Sequence, residues 1–185
     1  MAICIFPGTF NPIHQAHLSM AEFALKNYSF EKIIFIPSYI PPHKNIDKNL
    51  AAHRYNMVKL AIAYNKKFEI ADIEYKSEGK SYSLITVQKI IEEYQVKEKL
   101  NFIIGADAFK EIKTWFRSDE LSKLVHFIVF PRDGFIINDE DYKNYSYEIA
   151  NMPSIKLSST ELRTKHGIGT DKKIEEYIKA NDLYN

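Results

Sequence analysis

The chain has 185 residues, of which 45% are hydrophobic, and its 25 lysine and arginine side chains nearly balance 24 aspartate and glutamate side chains. This length suits a single domain with a full hydrophobic core, so we expect residues 1–185 to form one domain. A net charge of +1 gives no general attraction for nucleic acid or for an anionic membrane surface. We therefore expect neither nucleic acid nor a membrane as a partner.

The single cysteine, Cys4, excludes an internal disulfide and fits a reducing compartment. Cys4 lies inside the first apolar run, so we expect a buried structural thiol. No apolar run approaches the roughly 20 residues that cross a bilayer, and no basic segment followed by a long apolar one begins the chain. These features predict a soluble cytoplasmic protein, either monomeric or homo-oligomeric.

Short apolar runs alternate with stretches of helical periodicity along the chain. This alternation is typical of an α/β protein in which helices cover both faces of a doubly wound parallel sheet. The apolar runs predict strands at residues 2–6, 32–37, 68–72, 100–104 and 125–130, and a weaker one at 149–152.

Between these runs, apolar residues recur at helical spacing and predict helices with one face in the core. The sets are Leu18, Ala21 and Leu25; Tyr55, Val58, Ala61 and Ile62; and Leu84, Val87, Ile90, Ile91 and Tyr94.

The last third of the chain carries weaker signals. Ser158 and Glu161 have the spacing of a capping box, which predicts a short helix that ends near Gly167. A final helix is expected at about 171–180. The acidic, tyrosine-rich residues 138–147 are expected to form a solvated surface excursion.

The segment from Gly8 to His17 directly follows the first predicted strand. Gly8 allows a tight turn whose N–H groups approach an anion, and the following helix points its positive end at the same place. His14 and His17 lie three residues apart, so they share one face of the first helical turn. Two imidazoles there can donate hydrogen bonds to phosphate oxygens, and either can carry a positive charge beside an anionic ligand. The segment predicts a phosphate site at a strand-to-helix junction.

The histidine pair has two other interpretations. His14 and His17 could be ordinary surface histidines, but their place between a glycine turn and a helix start favours a functional role. A zinc site would need further ligands, and Cys4 lies in a strand with no acidic cluster nearby in the sequence. We therefore expect no metal held by the protein itself.

Two separated segments resemble the signatures of the nucleotidyltransferases. Residues 8–17 resemble the signature Gly-x-Phe-x-Pro-x-His-x-Gly-His, and residues 157–163 resemble the second signature, Ser-Ser-Thr-x-x-Arg. Among these enzymes the chain is most similar to the bacterial nicotinate mononucleotide adenylyltransferases, over residues 3–184. Further segments that resemble this family are 40–44, 81–83, 103–107, 114–116 and 131–134.

The resemblance implies a Rossmann-like sheet of the nucleotidyltransferase type and an activity in NAD biosynthesis. The implied reaction transfers AMP from ATP to the 5′-phosphate of nicotinate mononucleotide, giving deamido-NAD and pyrophosphate. Because negative charge grows on the departing pyrophosphate, positioning and cationic groups can catalyse this step without a protein nucleophile. The implied partners are ATP and nicotinate mononucleotide. Mg²⁺ is expected to ride on the ATP phosphates, because it keeps much of its water.

The resemblance assigns ATP to both signature segments. It implies that His14, His17 and Arg163 are catalytic, with His17 near the α-phosphate and His14 toward the β- and γ-phosphates. Arg163 offers a forked donor set to the departing pyrophosphate. The remaining ATP-binding residues implied in this way are Gly8, Thr9, Phe10, Ser158, Ser159 and Thr160.

The pyridine nucleotide is assigned to the segments between the two signatures. Trp115 is expected to stack on the pyridine ring with Phe116 beside it, although a half-buried core position is the alternative for Trp115. Ser83 offers its hydroxyl group to the nicotinate carboxylate. Asp107, together with Gly105, follows a predicted strand and can accept hydrogen bonds from ribose hydroxyl groups.

Two basic side chains complete the expected substrate side. Lys44 follows two prolines that stiffen its loop, and Arg132 follows the fifth predicted strand. Both are expected to contact phosphate groups of the substrate or ATP. A solvated loop position is the alternative for each of them.

The chain departs from the family pattern at three positions. Pro7 replaces a glycine and removes an N–H donor, so phosphate contacts have to begin at Gly8. Asn11 replaces an aspartate and loses a charge while it keeps an acceptor. Ala16 replaces the glycine between the histidines, and its methyl group narrows the approach to the helix backbone.

Two rival functions are open. The Pro-Gly pair at residues 7–8 is similar to phosphopantetheine adenylyltransferase, although that enzyme normally carries threonine at the position of His14. One rival is therefore a related transferase that acts on phosphopantetheine or on nicotinamide mononucleotide. The other is a nucleotide-binding regulator without turnover, against which the intact His14, His17, Ser159 and Arg163 argue.

Overall fold

The computed structural model describes residues 2–42, 47–76, 79–153, 159–164 and 170–184. The strands are β1 (Ile3–Gly8), β2 (Lys32–Pro37), β3 (Phe68–Ile70), β4 (Leu100–Gly105), β5 (Val125–Phe130) and β6 (Tyr147–Ile149). The helices are α1 (Gln15–Asn27), α2 (Leu50–Ile62), α3 (Ser83–Tyr94), α4 (Ala106–Lys110), α5 (Ser118–Leu124), α6 (Ser159–Thr164) and α7 (Lys172–Ala180). Short 3₁₀ turns lie at Ile112–Thr114 and Asp139–Tyr142.

The strands pair in parallel, in the order β3-β2-β1-β4-β5-β6. The chain runs outward from β1 to β3 and then returns to place β4 on the other side of β1. At such a reversal, the carboxyl ends of the two neighbouring strands open a crevice that binds ligands. This crevice lies between Gly8 at the end of β1 and Gly105 at the end of β4.

Helices cover both faces of the sheet, and the side chains of β1 alternate between the two faces. Cys4 and Phe6 pack with buried residues of α1, α2 and α7 on one face. Ile3 and Ile5 pack with α3, α4 and α5 on the other. The doubly wound parallel sheet predicted from the sequence is therefore confirmed.

Most of the predicted elements lie where the apolar pattern placed them. The predicted strands at 32–37 and 125–130 coincide with β2 and β5. The weak strand expected at 149–152 was misplaced, because β6 spans Tyr147–Ile149. The ring of Tyr147 packs 4.9 Å from that of Phe109, centroid to centroid. This contact explains why the strand starts two residues before the predicted position.

Residues 138–147 do not form a wholly solvated excursion. Tyr142 is only 6% exposed, and its ring lies 4.9 Å from that of Phe109. Tyr145 packs against Phe109 and Phe127. The prediction was wrong for these tyrosines, because large aromatic rings gain stability from packing in the core even when the residues beside them in the sequence are acidic.

The remaining predictions concern single residues. Cys4 is fully buried, and this burial raises the pKa of its thiol, as expected for a structural cysteine. The predicted short helix is α6, while Ser158 and Gly167 lie outside the described residues. Within the described ranges, no helix has the length and apolar character needed to cross a membrane.

Candidate active site

A cavity of about 930 Å³ lies over the carboxyl ends of β1 and β4. It brings together all the described residues that the sequence assigned to the site. Lys44 and Ser158 lie outside the described residues. The assigned residues that line the cavity are Gly8, Thr9, Phe10, His14, His17, Ser83, Gly105, Asp107, Trp115, Phe116, Arg132, Ser159, Thr160 and Arg163.

The turn between β1 and α1 owes its shape to Phe10 as much as to Gly8. A Cβ atom on Gly8 would lie 2.8 Å from the ring of Phe10, which is too close for packed carbon atoms. Phe10 itself adopts a φ of 47°, in the left-handed region. Gly8 is not among the glycines with a positive φ, so its visible structural role is to make room for the buried Phe10 ring.

His14 and His17 form a compact pair at the start of α1. Their rings lie 3.8 Å apart, centroid to centroid. The backbone N–H of His14 donates a hydrogen bond to Nδ1 of His17 over 3.2 Å. Because Nδ1 accepts, the neutral ring of His17 carries its proton on Nε2, which is a hydrogen-bond donor.

His14 is nearly buried, with 5% of its surface exposed. This burial, together with the charge of Arg132, lowers the pKa of His14 to about 4. The ring is therefore neutral at pH 7 when no anion is bound. Its Nδ1 atom is buried and has no hydrogen-bond partner among the described residues.

The second signature segment is held on the turn of the first. The Ser159 hydroxyl donates to the carbonyl oxygen of Pro12 over 3.0 Å. Nη1 of Arg163 donates to the carbonyl oxygen of Asn11 over 2.7 Å, and Nη2 donates to Oγ1 of Thr160 over 3.1 Å. The structure thus joins two segments that are far apart in the sequence into one wall of the cavity.

Asp107 and Arg132 form an ion pair at the end of β4. The distance between Oδ2 of Asp107 and Nη1 of Arg132 is 3.1 Å, and each side chain is about one-third exposed. Arg132 is therefore neither a free solvated side chain nor buried. The pair places a carboxylate and a guanidinium side by side at the cavity wall.

Aromatic side chains form another part of the cavity wall. Trp115 is half-buried and packs 6.2 Å from Phe102, so it belongs both to the core and to the cavity. The exposed Phe116 ring lies over the ring of Tyr82, with 4.6 Å between their centroids. Ser83, the first residue of α3, follows Tyr82 directly.

Arg54 is a buried charged residue that the sequence analysis missed. Its guanidinium group donates to the carbonyl oxygens of Thr9 over 2.8 Å and of Tyr39 over 3.0 Å. Arg54 thereby ties the turn after β1 to the loop after β2. The sequence did contain an indication that Arg54 is buried, because Arg54 lies at helical spacing from the buried Ala51 and Val58.

Glu74 extends this buried polar network toward α3. Its carboxylate accepts hydrogen bonds from the N–H of Tyr39 over 3.3 Å and from the Thr86 hydroxyl over 2.7 Å. Burial raises the pKa of Glu74, while hydrogen bonds from Ser81 and others and the charge of Arg54 oppose this shift. No sequence pattern marked Glu74, because it follows the short strand β3 without periodicity.

Comparison with known proteins agrees with this arrangement. Residues 5–165 match the family model described as cytidylyltransferase-like. The nicotinate-nucleotide adenylyltransferase of Bacillus subtilis is 38% identical, with 98% of this chain and 97% of the relative covered. The chain belongs to the nicotinate-nucleotide adenylyltransferase family. The probable nicotinate-nucleotide adenylyltransferase of Caldicellulosiruptor saccharolyticus is also 38% identical, over 100% of this chain and 99% of the relative.

A solved structure supports the fold of this family member. The nicotinic acid mononucleotide adenylyltransferase of Plasmodium falciparum, complexed with NaAD, superposes with a TM-score of 0.82 at 23% identity. The match covers 99% of this chain and 97% of the other. The fold implied by the resemblance to nucleotidyltransferases is therefore confirmed.

Proposed function

We propose that the chain transfers AMP from ATP to nicotinate mononucleotide, forming deamido-NAD and pyrophosphate. The observation that carries this proposal is the cavity over the carboxyl ends of β1 and β4, where the strand order reverses. Its lining combines the histidine pair and Arg163 with Trp115 and the Asp107–Arg132 pair. The names of the family members agree with this activity.

In the proposed reaction, an oxygen of the 5′-phosphate of nicotinate mononucleotide attacks the α-phosphorus of ATP. The bond from that phosphorus to the oxygen bridging to the β-phosphate breaks, and pyrophosphate leaves. The Nε2–H of His17 donates to an α-phosphate oxygen, a contact that strengthens as charge shifts in the transition state. No protein nucleophile takes part, because the two substrates supply both reacting groups.

The β- and γ-phosphates lie, in this proposal, between the turn after β1 and the start of α6. Arg163 already has its guanidinium group fixed by the Asn11 carbonyl, so little conformational freedom is lost when it pairs with pyrophosphate. His14 contributes as a neutral hydrogen-bonding ring, since burial keeps it uncharged. Ser159 and Thr160 complete the wall.

Mg²⁺ enters this proposal as part of the ATP substrate. Over the described ranges, no three His, Cys, Asp or Glu side chains converge in a way that would hold a metal ion. An ion that keeps most of its water and binds phosphate oxygens needs no such cluster. When bound, it neutralises the charge that develops on the departing pyrophosphate.

The pyridine nucleotide occupies the other half of the cavity. Trp115, which lines the cavity, stacks on the pyridine ring in this proposal, and Phe116 and Tyr82 extend that apolar wall. Ser83 supplies a hydroxyl donor for the nicotinate carboxylate. Asp107 accepts from ribose hydroxyl groups while its partner Arg132 faces the phosphate end.

The test uses ATP labelled at its α-phosphate, with Mg²⁺ and nicotinate mononucleotide. The proposal predicts that the label moves into deamido-NAD, with one pyrophosphate released per dinucleotide formed. Labelled ATP that binds tightly but stays intact would instead establish a nucleotide-binding regulator. The His17→Ala variant, checked for folding by circular dichroism, serves as the matched control for contaminating activity, because it removes the proposed α-phosphate contact.

A further inference from the structure

Tyr184 reaches the cavity from beyond the end of α7. Its hydroxyl group donates to Oδ1 of Asn11 over 2.6 Å, and both residues line the cavity. The adjacent Leu183 is 7% exposed and packs in the core, which anchors this segment. A side chain near the end of the described chain is thus fixed on the turn of the first signature.

Distant residues hold that same turn at neighbouring points. Arg163 donates to the backbone carbonyl of Asn11, and Ser159 donates to that of Pro12. Arg54 donates to the carbonyl of Thr9. The Tyr184 hydroxyl binds the side chain of Asn11, so it fixes a part of the turn that these backbone contacts leave free to rotate.

Electrostatics keep the Tyr184 hydroxyl in its donor form. Burial raises the pKa of Tyr184, and this effect outweighs the opposing charges of Arg54 and Arg163. The hydroxyl therefore retains its proton at neutral pH. Asn11 can then accept from it, because an amide oxygen does not titrate.

We propose that Tyr184 is a positioning residue that fixes Asn11 and, through it, the turn that presents His14 and Arg163 to the ATP phosphates. This inference rests on the proposed function, in which that turn holds ATP. In this role Tyr184 does not contact the reacting atoms of the substrates. Its effect passes through Asn11 and depends on an acceptor oxygen at that position.

The direct test compares Tyr184→Phe with Tyr177→Phe. Tyr177 lies in α7, where its hydroxyl contacts His53 and Asn56 and does not line the cavity. Each variant loses one hydroxyl group and keeps its ring, so both should fold. We expect Tyr184→Phe to lower kcat/KM for ATP about three- to tenfold, the usual range for one lost hydrogen bond, with KM for nicotinate mononucleotide unchanged. Tyr177→Phe should match the wild type.

A double-mutant cycle in ATP affinity, measured by calorimetry without the second substrate, tests the route through Asn11. Tyr184→Phe and Asn11→Ala should each weaken ATP binding, and the double variant should be no weaker than the worse single variant. Asn11→Asp keeps an acceptor for the hydroxyl, so it should retain the sensitivity to Tyr184→Phe. Additive losses would overturn the proposal.

The two readouts separate failure of this inference from failure of the proposed function. A wild type that makes no deamido-NAD refutes the function, while the ATP titration still tests the role of Tyr184. A wild type that is active, with Tyr184→Phe equal to Tyr177→Phe in kcat/KM and in ATP affinity, refutes the inference alone.

Discussion

The backbone N–H of His14 donates to Nδ1 of His17, 3.2 Å away. This hydrogen bond decides which nitrogen of His17 carries the proton, and it leaves Nε2–H as the donor. The backbone of His14 thereby orients the ring of His17. The spacing of the two histidines in the sequence does not predict this hydrogen bond. His14 itself is buried, and this burial lowers its pKa, so the rings of His14 and His17 lie in different environments although they are only three residues apart.

The His17→Ala variant should lose turnover far more than ATP affinity. Its Nε2–H contact strengthens only as charge shifts in the transition state, so we expect kcat to fall about 10²- to 10³-fold. ATP affinity, measured by calorimetry, should change by less than about tenfold. Equal losses in kcat and in affinity would contradict the assigned role.

His14 should make the folded state sensitive to acid. Burial lowers its pKa from 6.5 to about 4, so between these values the unfolded state binds more protons than the folded one. The contribution of His14 to the free energy of unfolding then decreases as the pH falls through this window, by about 2 kcal/mol between pH 7 and pH 5.

Urea unfolding of the wild type and of His14→Asn at both pH values checks this sign. Asparagine does not titrate, so the variant should lose less free energy of unfolding on acidification than the wild type does. The other histidines contribute to both proteins alike and cancel in the comparison. Parallel pH profiles would show that His14 is not a buried neutral ring.

Asp107→Asn should impair substrate binding without much effect on stability. Both partners of the Asp107–Arg132 pair are about one-third exposed, so solvent screens their attraction and the free energy of unfolding should change by less than about 1 kcal/mol. We expect KM for nicotinate mononucleotide to rise about tenfold, as for the loss of a charged hydrogen-bond partner. Asp72→Asn breaks the exposed pair with Lys76 outside the cavity and is the matched control. An Asp107 effect confined to stability would refute its role in the site.

Trp115→Ala should raise KM for nicotinate mononucleotide about tenfold and leave KM for ATP unchanged, because stacking on the pyridine ring is lost. Trp115→Phe retains an aromatic face and should recover part of the loss. Steady-state kinetics on both variants separates this role from packing against Phe102. An unchanged KM for the pyridine nucleotide, with reduced thermal stability, would place Trp115 in the core alone.

The sheet was predictable because strands of a parallel sheet are buried on both faces and appear as continuous apolar runs. β2 and β5 match their predicted boundaries for this reason. The short helices α4 and α5 were not predicted, because five and seven residues carry too little periodicity. The strand β6 begins earlier than predicted because Tyr147 packs against Phe109, whereas Ile149 is exposed.

The site was predictable wherever its residues lie inside a signature segment. His14, His17, Ser159 and Arg163 all line the cavity. The hydrogen bond between Asn11 and Tyr184 was not predictable, because it joins residues 173 positions apart and nothing in the sequence pairs Asn11 with Tyr184. The contact forms because the segment after α7 reaches the turn that follows β1.

An acceptor panel tests the central claim most directly. The measurement is pyrophosphate release from ATP and Mg²⁺ with nicotinate mononucleotide, nicotinamide mononucleotide and phosphopantetheine, each expressed as kcat/KM. The cavity with Trp115, Ser83 and the Asp107–Arg132 pair predicts the highest value for nicotinate mononucleotide. A clear preference for phosphopantetheine, or for the amide nucleotide, would contradict the account.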